Sequence, residues 1–148
     1  MRKIALGSDH IGYDYKQIIS EYLTDQGFAC QDFGCYDTNR TNYPTHAEAV
    51  CRVVIGGEFE RGILICGSGV GMSIAANKIH GIRAVVCSEP YSAALSRQHN
   101  NTNILAFGAR VVGIELAKMI VDIWLAAEYE GGRHQNRLDL ISDLEKKR

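Results

Sequence analysis

The chain has 148 residues, a length suited to one domain with a substantial core. Hydrophobic residues make up 46% and charged residues 22%, and sixteen basic residues nearly balance seventeen acidic ones, so no field of one sign directs the chain to nucleic acid or to a membrane surface. No run approaches membrane-spanning length, the apolar run after basic Arg2 and Lys3 is too short for a signal peptide, and five cysteines without a CxxC pair argue against a disulfide framework or a Cys-rich zinc site, so a reducing cytoplasm is the expected compartment. In chain order, residues 3–7 (KIALG) predict a first buried strand, with Ser8, Asp9 and His10 at its C-terminal end. Residues 12–26 fit a helix with Tyr15, Ile18, Ile19, Tyr22 and Leu23 on one face, stopped by Gly27. Residues 28–34 form a weaker second strand. A polar loop over 38–43 leads to Pro44, which suits the first turn of a helix running to about Ile55. A central strand ends at Cys66, followed by a glycine loop and a short helix to about Lys78. Residues 82–87 give strand four, Pro90 opens a helix ending near Arg97, and residues 103–108 give strand five. A strongly apolar helix over 114–127 and a last helix from about Arg133 to Lys146 complete the chain. The apolar helix, with Met119, Ile120, Ile123 and Trp124, carries more apolar surface than one sheet face needs, which marks it as an expected dimer interface.

Alternating short apolar strands and helices imply a Rossmann-like α/β fold, a parallel sheet covered on both faces, over one domain spanning 1–148. Right-handed crossovers place all strand C-terminal ends on one edge, where ligands of open α/β sheets bind. Asp9, His10, Cys66, Glu89 and the segment after Phe107 map to that edge. The run CGSGVG at 66–71 is the centre of this pattern. Its glycines allow close backbone approach, and a helix N-terminus beyond them offers N–H groups to a phosphate or an oxyanion. A helix N-terminus also favours a thiolate at Cys66. Read alone, the same loop is equally a strand-to-helix turn with a structural cysteine.

Three other chemistries compete for these residues. A dinucleotide fingerprint begins at Gly67-x-Gly69, with Glu89 as a ribose partner about twenty residues on, but Met72 occupies the third glycine position. A cysteine-dependent phosphatase loop requires an arginine six residues after the cysteine, and that position is again Met72. A metal site from Asp9, His10, Cys66 and His99 lacks any known local spacing, so no metal is expected. Arg133 and Arg137 stand four apart on the last helix, beside His134 and just after Gly131-Gly132. Cations at a helix start oppose the dipole, and an anionic ligand, with Arg110 joining, would resolve the conflict. His99, between helix and strand, is suited to proton transfer at sugar oxygens, while His46 and His80 read as solvated.

The chain resembles the type B ribose-5-phosphate isomerases, a family that includes allose-6-phosphate and galactose-6-phosphate isomerases. The resemblance rests on GSDH at 7–10, GILICGSGVGMSIAANK at 62–78, GIRAVVCSEPYSA at 81–93, SRQHNNTNILAFGARVVG at 96–113 and YEGGRHQNR at 129–137. It implies a three-layer α/β/α sandwich on a five-stranded parallel sheet, and a homodimer, sometimes paired into tetramers, with each active site built from two chains. It implies a cofactor-independent aldose–ketose isomerase acting on a phosphorylated sugar. Cys66 is the implied base. The loop Gly67, Ser68, Gly69, Val70 and Gly71 cradles the enediolate, with Ser68 at the sugar oxygens. Asp9 and His10 contact substrate, His99 assists ring opening, Asn100 binds substrate, Tyr43 walls the sugar pocket, and Arg110, Arg133 and Arg137 hold the phosphate. One branch of the family carries a glutamate where this chain has Met72, so the base is Cys66 or lies elsewhere. A non-enzymatic phospho-sugar or nucleotide sensor on the same fold is the alternative of a different class.

Overall fold

A computed structural model describes residues 1–147; Arg148, the last residue of the expected domain, lies outside the described residues. Strands β1 (Lys3–Ser8), β2 (Ala29–Asp32), β3 (Arg61–Cys66), β4 (Ala84–Val86) and β5 (Ile104–Gly108) form one parallel sheet in the order β2-β1-β3-β5-β4. Helices α1 (Tyr13–Asp25), α2 (Tyr43–Ile55), α3 (Val70–Ala76), α4 (Pro90–Asn100), α5 (Ile114–Ala126) and α6 (Arg133–Lys146) follow in turn. The expected three-layer arrangement is present. Among the described residues no helix is long and apolar enough to cross a membrane.

The alternation of side chains along each strand divides the core into two. Ile63 and Ile65 of β3 face a cluster with Ile19, Leu23, Ile120, Val121 and Trp124 from α1 and α5. Leu64 and Cys66 face the other cluster, with Val50, Cys51 and Val54 of α2 and Met72 and Ala76 of α3. Strand β3 is buried along its whole length. Each large aliphatic side chain so buried contributes about 1.5–3 kcal/mol, so the strand that delivers Cys66 is also among the most firmly fixed. The chain reverses its direction of winding between β1 and β3: β2 lies on one side of β1, and β3 with all later strands lies on the other. The loops after β1 and β3 therefore flank a switch point, where open α/β sheets leave a crevice.

Several boundaries differ from the sequence reading. Strand β4 covers three residues and β2 four, both shorter than expected. Helix α4 continues past Arg97 and ends only where Asn101 turns left-handed at φ 48°. His99 and Asn100 are thus in its last turn and not in a loop. Helix α5 is not the exposed apolar face it promised to be. Ile120 and Trp124 are fully buried, Ile123 is half-buried, and only Met119 remains exposed. The sheet face under α5 is wide enough to take nearly all of that surface. Exposed apolar side chains lie instead on α6, at Leu140, Ile141 and Leu144, and around the loop after β3.

Lys16 of α1 is fully buried, an unusual place for an ammonium group. Its Nζ donates to Asp32 Oδ1 at 2.9 Å and to the carbonyl of Cys35, tying α1 to the end of β2 and the loop beyond. Replacing Lys16 by alanine strands Asp32, whose side chain is 28% exposed and only partly rehydrates the loss. The expected cost is about 2–4 kcal/mol, toward the lower end of what breaking a fully buried pair costs. Urea unfolding of Lys16→Ala beside wild type measures it.

Candidate active site

The site begins where β3 ends. Cys66 pairs in register with Gly108 of β5. The loop after β3 then turns back over β5 so closely that side chains are excluded. A Cβ on Gly69 would lie 2.7 Å from the Phe107 carbonyl carbon, and one on Gly108 would lie 2.6 Å from the Gly67 carbonyl oxygen. Gly69 itself sits at φ +82°, where an L-side chain is strained. The turn is pinned by Ala109 N–H to Cys66 O at 2.8 Å and Arg110 N–H to Gly67 O at 3.0 Å.

This geometry aims a donor at the thiol. The Gly69 N–H reaches Cys66 Sγ at 3.1 Å. The Val70 N–H donates to Ser68 Oγ at 3.2 Å, which leaves the Ser68 hydroxyl proton free to point outward. Intrahelical bonding in α3 starts with Ser73 N–H to Gly69 O, so the amides before it are those a helix N-terminus leaves for a ligand. Three other cysteines lie outside the cleft. Burial pushes the Cys51 thiol up to about 12 and the Cys87 thiol up to about 11, and it raises Cys30 as well.

An open cleft of about 640 Å³ faces the thiol, lined by Tyr43, Cys66, Gly67, Ser68, Val70, Gly71, Ile74, Arg110 and Val111. Tyr43 packs against the loop: a Cβ on Gly71 would fall 2.7 Å from its ring. Ile74 and Val111 escaped the sequence reading. Both stand one turn or less from marked residues, and they are exposed at 57% each, which apolar spacing alone does not reveal. On the neighbouring strand, Asp9 is buried and its Oδ1 accepts from the N–H groups of Ile11 and Gly12, both at 3.0 Å. That carboxylate oxygen holds the turn into α1. His10 is next, its Nδ1 accepting from Thr41 N–H at 3.3 Å, which fastens the loop before α2 over the crevice. Glu89 is no ribose ligand. It caps α4, accepting the Ser92 N–H at 3.0 and 3.1 Å. Met72 is fully buried, and its side chain does not line the cleft.

The remaining residues lie elsewhere. Helix α4 must return to the start of β5, so its last turn stands at the N-terminal edge of the sheet. The five residues of β5 run from that edge to Gly108, the register partner of Cys66, a span of roughly 13 Å. His99 and Asn100 are at that far edge. Glu130 N–H donates to Gln98 O at 3.0 Å, and the His134 ring stacks on His99, so Arg133 and the start of α6 belong there too. Arg133 and Arg137 are exposed. Arg110 does not join them within one chain: its Cδ lies 3.9 Å from where a Gly67 Cβ would be, beside the cleft. The four-residue grouping of Asp9, His10, Cys66 and His99 considered for a metal is divided in the same way, for the same reason. A second cavity of about 400 Å³ lies under α6, between Ile82, Val85, Leu138, Ile141 and Leu144, and includes Asn100 but nothing of the Cys66 loop.

Gly69→Ala should both destabilise the protein and displace the donor. The left-handed backbone costs an alanine about 1–2 kcal/mol, and the 2.7 Å contact is with backbone, which no rotamer relieves. Lowered Tm together with lost turnover is the expected result; an unchanged Tm would show that the loop lies farther from β5.

Comparison with known proteins agrees with this fold. The family described as Ribose/Galactose Isomerase matches residues 4–141. Ribose-5-phosphate isomerase B of Escherichia coli is 61% identical over 148 residues, covering 100% of this chain and 99% of that protein. The D-erythrulose-4-phosphate isomerase of Pectobacterium atrosepticum is 43% identical over 147 residues, 98% of this chain and 96% of that one. The structure of Clostridium thermocellum ribose-5-phosphate isomerase B superposes with a TM-score of 0.97 at 51% identity, covering 98% of each chain.

Proposed function

The chain belongs to the ribose/galactose isomerase family, and from that premise we propose that it is a sugar-phosphate isomerase interconverting ribose 5-phosphate and ribulose 5-phosphate. The observation that carries the mechanism is Cys66 Sγ, at the lip of the cleft, accepting the Gly69 N–H at 3.1 Å. A base and an array of amide donors stand together, as enediolate chemistry requires.

In the open-chain aldose, the C1 carbonyl acidifies the C2 proton. The Cys66 thiolate takes that proton, and the C2 electron pair enters a C1–C2 double bond as charge moves to O1. Amides of the loop 67–71 meet that charge. The thiol returns its proton to C1, the O2 proton passes to O1 through Ser68, and C2 is left as the carbonyl of the ketose. No cofactor or metal takes part in these steps. Asp9 holds the turn that presents His10 to the sugar, and Tyr43 walls the pocket. The workplace is the cytoplasm, where five unpaired thiols persist.

The reading requires a second copy. His99 for ring opening, Asn100 for the sugar, and Arg133 and Arg137 for the phosphate stand at the edge of the sheet away from Cys66. They serve the cleft of a partner chain in a homodimer, or in a tetramer of two such dimers, with Arg110 of the first chain completing the phosphate site. The exposed apolar rim of the cleft, Val70, Ile74 and Val111, supports such a docked copy. Phosphate binding at a distance from C1 and C2 then positions the reacting carbons.

Mixing the protein with ribose 5-phosphate and following ribulose 5-phosphate tests the reaction. Allose 6-phosphate, galactose 6-phosphate and erythrulose 4-phosphate, ranked beside it by kcat/KM, test the substrate. Binding without turnover of any of these sugars would leave a sensor. Cys66→Ser should retain binding and lose most of kcat, since a serine hydroxyl supplies almost no anion near neutrality. Near-normal turnover would remove Cys66 from the role of base.

Mixing two inactive variants tests the shared site. Cys66→Ser and Arg137→Ala homodimers should each be dead or weak. Re-equilibrated at equal concentration, half the dimers are mixed, and each mixed dimer holds one intact site of two. Activity should return to about a quarter of wild type. No recovery after verified subunit exchange would place both residues in one chain's site.

A further inference from the structure

Glu130, in the link between α5 and α6, has no role in the reaction described above, yet it stands between two imidazoles. Its Oε1 is 3.8 Å from His99 Nε2 and 3.6 Å from His134 Nε2. The two rings stack with centroids 4.3 Å apart and planes 14° from parallel. Ligand atoms of all three residues lie within 4.8 Å of one another. His134 is only 8% exposed, and its Nε2 has no hydrogen-bond partner among the described residues. A buried nitrogen left in that condition is costly, and a native fold rarely tolerates it without an occupant. Glu130 is held in place from behind, its N–H donating to Gln98 O at 3.0 Å.

We propose that His99, Glu130 and His134 form a binding site for a divalent transition-metal ion such as Zn²⁺. Two imidazoles and a carboxylate are the donor set of an open tetrahedral zinc site, with a fourth position for water. Ligand bonds of about 2.0–2.1 Å put neighbouring donors about 3.3–3.4 Å apart in a tetrahedron. The two histidine–carboxylate separations need to close by only a few tenths of an ångström to reach that value, and rotation of the half-buried His99 side chain brings the imidazole nitrogens together. Both imidazoles must be neutral to bind. Arg133 and Arg137 flank His134 on α6. The same two arginines repel a cation, but both are exposed and screened by solvent and salt.

On the isomerase reading, an ion on His99 Nε2 removes the group proposed to open the sugar ring, so metal binding and turnover of the cyclic substrate exclude each other.

Equilibrium dialysis of the whole protein against Zn²⁺, and visible spectra with Co²⁺, test the site without reference to activity. Wild type should bind one ion per chain saturably, and bound Co²⁺ should lack a thiolate-to-metal charge-transfer band. Glu130→Gln, a change at an exposed position that leaves the fold intact, and His134→Gln should each weaken binding by at least about tenfold. Absence of saturable binding, unchanged affinity in Glu130→Gln, or a thiolate band from one of the five cysteines would overturn the proposal. If binding is confirmed but Zn²⁺ leaves isomerisation untouched, the metal site stands and the role given to His99 falls.

Discussion

The contact between two bare stretches of backbone, the loop after β3 lying on the end of β5, is the constraint on which the site depends. Gly69 and Gly108 meet the opposing chain at 2.6–2.7 Å from where a Cβ would be. Glycine at both positions lets the loop fold down, and the fold-down sets the N-terminus of α3 above the thiol. The hydrogen bond from Gly69 to Cys66 is then a product of main-chain geometry. No flexible side chain has to be ordered for it, so little conformational entropy is lost when the site is made. The switch point between β1 and β3 supplies the second half of the constraint. Asp9, through two backbone donors, fixes the turn beside the loop before any ligand arrives.

Much of this was legible in the chain. The residues GILIC and ILAFG are continuous apolar or small runs and read as buried strands, and CGSGVG announces a turn that only glycine permits. Tyr43, Ser68, Val70 and Arg110 do line the cleft with Cys66. The misreadings have definite causes. Gln98-His99-Asn100-Asn101 is polar throughout, and polarity resembles a loop; the helix continues because its other face is held by buried Ser96 and Arg97, and it stops by the left-handed turn at Asn101. Helix α5 looked too apolar for one sheet face because the strand order, and hence the width of the face, cannot be read from local pattern. Glu130 was passed over because Gly131 and Gly132 stand between it and His134. Its spacing of four from His134 was visible, but the relation to His99 depends on two helices meeting, and the sequence does not show that.

The position of His99 shows how residues grouped in the sequence reading can be set apart by the fold. Many residues marked in the chain have polar side chains of the kind a sugar phosphate calls for, but parallel α/β topology assigns them by edge. Residues just past a strand stand at one edge; residues that end the returning helix stand at the other. Arg110 comes directly after β5 and faces the cleft, while His99 ends α4 and does not.

That division by edge bears on how the sequence can vary. A substitution near residue 66 has no steric route to residue 99 inside one chain, since the sheet itself stands between them. In the proposed homodimer, any compensation between the two is made across the surface where one copy meets another. Paired changes at 66–71 and at 99–100 or 133–137, found among descendants of this sequence, would therefore look like errors if mapped as contacts within a monomer. Read between copies, the same pairs become distance restraints, and they would give the relative orientation of the two chains before any complex is seen.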